Sequence, residues 1–274
     1  MIRLSAFADE ISADPVEQID CLEANGVKFI EFRSIRGTNV LDLDESDHAD
    51  FQALLNSRGF GLSAIGSPIG KISVVDPFKP HLARFQIALD LAERYGTPNI
   101  RVFSFYLPEG SDPATHRDEV MSRMSELAER ALRRGVTLVL ENEKGIYGDT
   151  AERVADIIDT VHSPALGVAF DPANYVEVGQ PIMPAWERLK GRVVHFHVKD
   201  YDKNTHKNVP AGQGDGQIPE LIADAVGHGY AGFCVLEPHL VVAEKSYGFT
   251  GPERFGEAAT ALKSALQARQ IAFA

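Results

Sequence analysis

The segment Arg192-Val-Val-His-Phe-His-Val-Lys-Asp200 places two histidines and a lysine on one predicted β-strand. Side chains alternate between the two faces of a strand, so His195, His197 and Lys199 share a face and the apolar residues between them share the other. Burying such groups without partners is unfavourable. A hydrogen-bonded pair of core histidines is the structural alternative, but three such groups near a strand's carboxyl end favour a functional site.

Carboxylates end the neighbouring predicted strands. Glu141 and Glu143 end one strand, Asp171 ends the next, and Glu237 ends the last. Any one of these is equally well explained as a helix N-cap or a loop salt bridge. Four consecutive strands that each end in a carboxylate or an imidazole are harder to explain in that way, because converging carboxylates repel unless a cation neutralises them. Oxygen ligands with one imidazole suit Mn²⁺, Mg²⁺, Co²⁺ or Zn²⁺ without choosing among them.

The elements that must position these residues alternate between short β-rich runs and longer helical patterns. The predicted strands are Ile2–Ala8, Val27–Arg33, Gly61–Gly66, Asn99–Phe105, Thr137–Glu143, Leu166–Asp171, Arg192–Lys199 and Phe233–Glu237. The predicted helices are Pro15–Asn25, Ser46–Ser57, His81–Tyr95, Pro113–Arg134, Ala151–Val161, Gln217–Gly227 and Pro252–Ala268. Several strands follow a helix-stop glycine, as at Gly59 and Gly96.

This alternation predicts parallel strands joined by helical crossovers. Eight such units predict an α/β fold of the closed (β/α)8 TIM barrel type, and 274 residues suit one such barrel as a single domain over residues 1–274. An open doubly wound sheet is the alternative, but the first strand ends in Ala8-Asp9-Glu10 with no glycine-rich phosphate turn.

Composition narrows the classes of partner and compartment. The net charge of −12 argues against nucleic acid and anionic membrane partners. Cys21 and Cys234 are the two cysteines and lie far apart, which predicts a reducing, cytoplasmic location. The longest apolar runs are too short to cross a membrane, and the acidic residues after Ala8 argue against a signal peptide. The sequence leaves the oligomeric state open, with a homo-oligomer among the options.

Together these motifs resemble the xylose isomerase-like TIM barrel family, which includes sugar phosphate isomerases and epimerases and is also described as AP endonuclease family 2-like. The resemblance covers essentially the whole chain. The residues that carry it are Leu4–Ile11, Glu31–Arg33, Gly66–Lys71, Leu140–Glu143, Phe170–Tyr175, His195–Asp200 and Leu236–His239. The ordered set is specific for the family but not for one substrate.

The resemblance to the ketose 3-epimerases of this family implies one divalent metal ion held by four ligands, which are Glu141, Asp171, His197 and Glu237. It implies that His195 contacts the substrate or supports the ligands. Two positions depart from those epimerases. Asn174 stands where they have a substrate-binding histidine, and Tyr147 stands where they have a glutamate six residues after the first ligand.

The function that the resemblance implies is isomerisation or epimerisation of a small sugar substrate through a metal-bound enediolate. Glu141 and Glu237 are the predicted catalytic acid and base, on opposite sides of the substrate. Lys199 is predicted to hold an oxyanion or a substrate carboxylate, or else to form a salt bridge with Asp171 or Asp200. Asn174, Glu143 and Lys71 complete the predicted substrate-binding set, and Glu143 is a candidate for part of the role of the missing glutamate.

Loops contribute further expectations. Gly66–Lys71 resembles a P-loop but has the wrong spacing, so it is interpreted as the loop after the third strand. Glu31 and Arg33 share a face of the second strand, which predicts an internal ion pair near the barrel mouth. The glycine-rich segment Pro210–Gly216 is interpreted as a loop that shapes the mouth.

Other functions remain open from the sequence. A lyase or hydrolase acting on oxidised sugars would use the same metal. Phosphodiester hydrolysis of the endonuclease IV type would need a multi-zinc cluster, and His195, His197 and His239 are the histidines at strand ends. A non-catalytic binding module would not need the ligand quartet, which is intact.

Overall fold

The computed structural model describes residues 1–240 and 250–274, and its centre is a closed barrel of eight parallel strands. Each strand pairs with the next along the chain, and β8 closes the barrel on β1. The strands are β1 (Arg3–Ala6), β2 (Phe29–Phe32), β3 (Gly61–Ile65), β4 (Asn99–Val102), β5 (Thr137–Glu141), β6 (Leu166–Phe170), β7 (Val193–Val198) and β8 (Phe233–Leu236). The predicted TIM barrel is confirmed.

The helices form the outer layer. They are α1 (Pro15–Ala24), α2 (Glu45–Arg58), α3 (Phe78–Tyr95), α4 (Pro113–Arg133), α5 (Ala151–Val161), α6 (Pro172–Glu177), α7 (Ile182–Leu189), α8 (Ile218–Gly227) and α9 (Pro252–Ala268). All seven predicted helices are present, and their ends differ from the prediction by three residues at most. The sequence analysis did not predict α6 and α7, which are short and are separated by Gly179, with φ 76°, and Pro181.

Two small hairpins also lie outside the prediction. One pairs Ser34–Ile35 with Thr38–Asn39 after β2, and the other pairs Asp200–Asp202 with Lys207–Val209 after β7. Both extend loops at the carboxyl end of the barrel, the end where such enzymes carry their sites. The predicted strands were too long at this same end. Several of the predicted site residues follow the last residue that is paired in the barrel and do not belong to the strand itself.

Local sequence explains the helix boundaries. Asp44 begins α2 by accepting a hydrogen bond from the backbone N–H of Asp47, and Gly59 ends it with φ 67°. A left-handed residue at this position is accessible to glycine without a Cβ penalty. Gly96 ends α3 in the same way, with φ 66°. The helix-stop glycines therefore act as the sequence predicts.

The strands separate two apolar regions. Outside the barrel, Phe170, Trp186 and Phe196 belong to the large core between strands and helices. Inside it, a smaller cluster of Phe7, Phe233 and Val235 stands apart from that core. Because Phe233 and Val235 are paired in register with His195 and His197, the two histidines face the barrel interior.

Neither cysteine forms a disulfide with the other, since Cys21 and Cys234 are both free thiols. Within residues 1–240 and 250–274, no helix has the length and apolarity needed to span a bilayer.

Candidate metal centre

The four predicted ligands meet at the carboxyl end of the barrel. Glu141 is the last residue of β5, Asp171 follows β6, His197 lies within β7 and Glu237 follows β8. One candidate ligand atom from each residue lies within 4.8 Å of the other three. At most 3% of the surface of any of them is exposed. The fold therefore brings together residues that are up to 96 positions apart in the chain, from 141 to 237.

The hydrogen bonding of this quartet fits a cation. Each residue keeps one buried atom that makes no hydrogen bond among the described residues: Glu141 Oε2, Asp171 Oδ2, His197 Nδ1 and Glu237 Oε2. Two of these atoms face a cationic side chain, since Lys199 Nζ lies 2.7 Å from Asp171 Oδ2 and Arg101 Nη1 lies 3.3 Å from Glu141 Oε2. His197 Nδ1 lies 3.3 Å from Glu141 Oε1 and 3.7 Å from Glu237 Oε2. Buried polar atoms normally have partners, and three carboxylates with one imidazole form a donor set that suits a divalent ion.

Glu31 fixes the orientation of the imidazole of His197. Its Oε2 atom lies 3.3 Å from His197 Nε2 and 2.8 Å from His195 Nε2, and all three side chains are fully buried. Although burial lowers the pKa of His197, the charges of Glu141 and Glu31 outweigh it and raise the pKa well above its usual range. A cation at the quartet would replace the proton on Nδ1, while the proton on Nε2 stays directed at Glu31. Although burial raises the pKa of Glu31, the charges and hydrogen bonds of the two histidines outweigh it and hold the pKa well below its usual range.

The prediction of an ion pair between Glu31 and Arg33 is wrong. Arg33 instead donates hydrogen bonds to Asp9 Oδ2 at 2.7 Å and to Glu237 Oε1 at 2.8 Å. Glu31 faces the histidines, with Arg101 3.8 Å from its other oxygen. Strand alternation placed both residues on the inward face, but it could not show that Arg33 lies beyond the last paired residue of β2 and turns toward β8.

Each candidate acid–base glutamate has its own arginine. Arg33 donates a hydrogen bond to Glu237 Oε1, and Arg101 Nη1 lies 3.3 Å from Glu141 Oε2. Both guanidinium groups stack over the ring of Phe7, at 4.6 and 4.8 Å from its centroid. Burial raises the pKa of Glu141, but the positive charges of His197 and Arg101 outweigh that effect and lower it. This carboxylate is therefore held in its ionised form.

Lys199 points into the quartet. Its Nζ lies 2.7 Å from Asp171 Oδ2 and 3.8 Å from Glu237 Oε2, so the alternative of a salt bridge to Asp171 is the arrangement observed. Burial, together with the charges of Glu141 and Glu237, raises the pKa of Asp171 to about 6, although Lys199 opposes the rise. For Glu237 the balance differs, because Lys199 and His239 overcome burial and hold the pKa well below its usual range.

The remaining predicted substrate residues lie around the mouth. Lys71 Nζ and Glu143 Oε2 form an ion pair at 2.9 Å, and both side chains are partly exposed. Asn174 is 4% exposed and donates from Nδ2 to the backbone oxygen of Asn142 at 2.8 Å. His195 is fully buried one inward position below His197. Lys71 and Glu143 are therefore partly exposed to solvent, whereas Asn174 is buried against Asp171 and His195 is buried against Glu31.

The loop that carries Lys71 needs a glycine. Gly70 has φ 93°, and a Cβ at this position would overlap the backbone oxygen of Phe103. The N–H of Gly70 donates to Nε2 of His81 at 2.8 Å. The interpretation of Gly66–Lys71 as the loop after the third strand is confirmed, because it follows β3 at Ile65.

A second loop is built around Asp200, which is 1% exposed. Its carboxylate accepts four backbone hydrogen bonds, at 2.8 to 3.1 Å, from Tyr201, Gly212, Gly214 and Gly216. A Cβ on either of the last two glycines would collide with Asp200. The glycine-rich segment after β7 is thus folded tightly around one buried carboxylate, next to Lys199.

Glu10 and His239 flank the last ligand. Nε2 of His239 lies 2.7 Å from Glu10 Oε1 and 3.4 Å from Glu237 Oε1. Although burial lowers the pKa of His239, its hydrogen bonds to these two carboxylates raise it to about 9. The sequence showed His239 at a strand end but gave no sign of Glu10, which lies 229 positions earlier in the chain.

Comparisons with known proteins agree with this architecture. The profile of the family described as "Xylose isomerase-like TIM barrel" matches residues 19–265. Fructoselysine 3-epimerase from Escherichia coli O157:H7 is 25% identical over 160 residues, which are 57% of this chain and 58% of that protein. The chain thus aligns with somewhat more than half of the length of this relative.

Solved structures share the fold over nearly the full length. A D-tagatose 3-epimerase-like protein superposes with a TM-score of 0.78 and 17% identity, covering 98% of each chain. A xylose isomerase-like TIM barrel protein from Mycobacterium smegmatis, solved in complex with magnesium, superposes with a TM-score of 0.71 and 20% identity, covering 98% of this chain and 97% of that one. The profile match covers far more than half of the sequence. This chain therefore belongs to the xylose isomerase-like TIM barrel family, as its ordered motifs predict.

Proposed function

We propose that this protein is a divalent-metal-dependent sugar isomerase or epimerase that transfers a proton to and from a carbon next to a carbonyl group. The observation that carries the proposal is the buried quartet, in which each residue leaves one atom without a hydrogen bond among the described residues. The similarity to fructoselysine 3-epimerase supports the reaction class. The magnesium in a structural neighbour supports a metal of the same type.

Glu141, Asp171, His197 and Glu237 would hold the ion. When bound, a divalent ion of the Mn²⁺, Mg²⁺, Co²⁺ or Zn²⁺ type supplies positive charge that makes the carbon acid of a hydroxy-ketone more acidic. Arg33 donates to Glu237 Oε1 and orients that carboxylate, and the charge of Arg101, 3.3 Å from Glu141 Oε2, helps to lower the pKa of Glu141. Glu31 keeps His197 in the tautomer that directs Nδ1 at the centre.

The two glutamates would move the proton. They approach the centre from β5 and β8, which are three strands apart around the barrel. The ionised carboxylate of one removes the proton from the carbon and leaves an enediolate. If the other glutamate, having taken up a proton from solvent, gives that proton to the opposite face of the carbon, the substrate is epimerised and the two carboxyl groups have exchanged protonation states. Return of the proton to the neighbouring carbon gives aldose–ketose isomerisation.

The other polar side chains of the mouth would bind the substrate. Lys199 is close enough to Asp171 and Glu237 to donate to a developing oxyanion at the same centre. Lys71 and Glu143 form a partly exposed pair that offers both a donor and an acceptor to sugar hydroxyl groups. Asn174 acts through Asp171, to whose Oδ1 its backbone N–H donates, and His195 acts through Glu31, which contacts His197. The cytoplasmic location and a homo-oligomeric state stay predictions.

A solvent-exchange experiment tests the proposal. The purified protein, supplied with Mn²⁺, is incubated in D₂O with a panel of ketoses, 3-keto sugars and sugar acids, and the products are examined by NMR. Incorporation of deuterium at one carbon, lost on addition of a chelator, is the expected result. Elimination of water or bond hydrolysis without exchange would instead assign the site to a lyase or a hydrolase and would overturn the proposal.

A further inference from the structure

Asn142 directly follows the predicted ligand Glu141 and is fully buried. Its side-chain amide makes two hydrogen bonds with the backbone of Asp171. Nδ2 donates to the carbonyl oxygen of Asp171 at 2.9 Å, and Oδ1 accepts from its N–H at 3.0 Å. The side chain of Asn142, at the end of β5, thus holds the backbone of the next predicted ligand, Asp171, through two hydrogen bonds.

The position of these bonds gives them their meaning. The backbone ladder between β5 and β6 has its last paired residues at Glu141 and Ala169. Asp171 lies beyond that ladder, where its N–H and C=O have lost the partners that a longer strand would give. A side-chain amide carries a donor and an acceptor in the same plane and so imitates the missing peptide group. Among side chains of this length, only asparagine offers both.

A second asparagine closes the network. The backbone N–H of Asn174 donates to Asp171 Oδ1 at 3.0 Å, and its Nδ2 donates to the backbone oxygen of Asn142 at 2.8 Å. The first of these bonds occupies Oδ1 of Asp171, whereas Oδ2 lies at the centre of the quartet and faces Lys199 Nζ at 2.7 Å. The network therefore selects which oxygen of Asp171 is available at the centre.

We propose that Asn142 is a positioning residue, which fixes Asp171 relative to Glu141 and presents Oδ2 of Asp171 to the divalent ion. This inference rests on the proposed metal centre but not on any particular sugar. Asn142 touches no reacting atom, so its contribution is the geometry of two neighbouring ligands. Supporting groups of this kind typically change metal affinity by about 10- to 100-fold.

The test compares Asn142→Leu with wild type. Leucine has nearly the same shape as asparagine but neither a donor nor an acceptor, so a purely space-filling role predicts unchanged metal binding. Asn142→Ala is the second variant, in case leucine prevents folding. Asn99→Ala is the matched control, because Asn99 Nδ2 also bonds to a strand backbone, Ser63 O at 2.9 Å, but at the first residue of β4, the end of the barrel away from the centre.

Two measurements are made on each purified protein. Titration calorimetry with Mn²⁺ is expected to show a dissociation constant about 10- to 100-fold higher for the Asn142 variants and an unchanged constant for Asn99→Ala. Hydrogen exchange is expected to show faster exchange of the Asp171 amide in the Asn142 variants alone. A folded Asn142→Leu protein with wild-type Mn²⁺ affinity overturns the inference.

The exchange measurement separates this inference from the proposed function. If the wild type binds no Mn²⁺, the proposed metal centre is wrong, and so is the positioning role of Asn142. This holds even if hydrogen exchange shows that Asn142 protects the amide of Asp171. If the wild type binds Mn²⁺ and the variants lose affinity, but no sugar exchanges deuterium, the reaction class fails while the role of Asn142 stands. An unchanged exchange rate of the Asp171 amide in Asn142→Leu contradicts the hydrogen bond between this amide and Asn142.

Discussion

Oε2 of Glu31 lies 3.3 Å from Nε2 of His197, so a carboxylate on the second strand fixes the orientation of an imidazole on the seventh strand. Both side chains are fully buried. The pair joins residues 166 positions apart in the chain, and it leaves Nδ1 of His197 directed at Glu141 and Glu237. The orientation of a candidate metal ligand is thus fixed by Glu31, a residue outside the quartet.

Replacing Glu31 by glutamine should weaken metal binding. The amide keeps the size of the side chain but removes the charge that holds the proton on Nε2, so Nδ1 no longer has a fixed lone pair. The Mn²⁺ dissociation constant should rise about 10- to 100-fold, as measured by calorimetry. Glu143→Gln is the matched control, because Glu143 pairs with Lys71 and is outside the quartet. Equal affinity in Glu31→Gln and wild type would refute this role.

Replacing Glu237 by glutamine should abolish proton exchange while the fold is retained. The amide cannot accept the substrate proton, and loss of a positioned acid–base group typically lowers the rate by about 100- to 10,000-fold. The measurement is the rate of deuterium incorporation at saturating Mn²⁺, with circular dichroism to confirm folding. A variant that still exchanges at the wild-type rate would remove Glu237 from its assigned role.

Replacing Asp200 by asparagine should destabilise the protein. Its carboxylate accepts four backbone N–H groups, and an amide in the same place would turn a donor toward some of them. Urea unfolding should show a loss of about 3 kcal/mol. The control is Asp202→Asn, because Asp202 is partly exposed and caps its own turn at Asn204 and Thr205. Similar losses for the two variants would show that the burial of Asp200 is not the cause.

His81 should make stability depend on pH. Burial, with smaller effects from Arg84 and Arg123, lowers the pKa of His81 to about 4, and its neutral Nε2 accepts from Gly70. An unfolded histidine takes up its proton near pH 6.5, so the unfolded state binds more protons between about pH 6.5 and 4. The contribution of His81 is therefore complete above about pH 6.5 and is lost as the pH falls toward 4.

The measurement compares wild type with His81→Gln, which keeps an acceptor that does not titrate. On going from pH 7.5 to 5.0, the free energy of unfolding of wild type should fall by about 2 kcal/mol more than that of the variant. Equal losses would show that other groups carry the pH dependence.

Most of the fold followed from local patterns. The alternation of strands and helices predicted the barrel, and glycines such as Gly59 and Gly96 marked the helix ends. Helix α6 escaped prediction because its first turn depends on Asp171, whose side chain was assigned to the metal but also caps the helix through the N–H of Asn174. One residue serves both purposes, and a pattern of residue types does not show this.

The convergence of carboxylates and imidazoles at one end of the barrel was predictable, because strand alternation and strand ends are local properties. The choice of Glu141 and His197 as ligands followed from the family resemblance. The groups that support the ligands were not predictable, because their contacts depend on barrel closure and register. Glu31 reaches His197 across the barrel, Glu10 reaches His239, and Asn142 acts through an amide that resembles any other buried asparagine in sequence. The sequence does not reveal these contacts, because they join residues that are distant in the chain or depend on the direction of one side chain.

Anomalous diffraction from crystals grown with Mn²⁺ would show whether the quartet binds a divalent ion. We expect one Mn²⁺ per chain at the carboxyl end of the barrel, bound by Glu141, Asp171 through Oδ2, His197 through Nδ1 and Glu237, at distances of about 2.0 to 2.5 Å. An anomalous peak elsewhere, or none at this centre, would contradict the proposed metal centre.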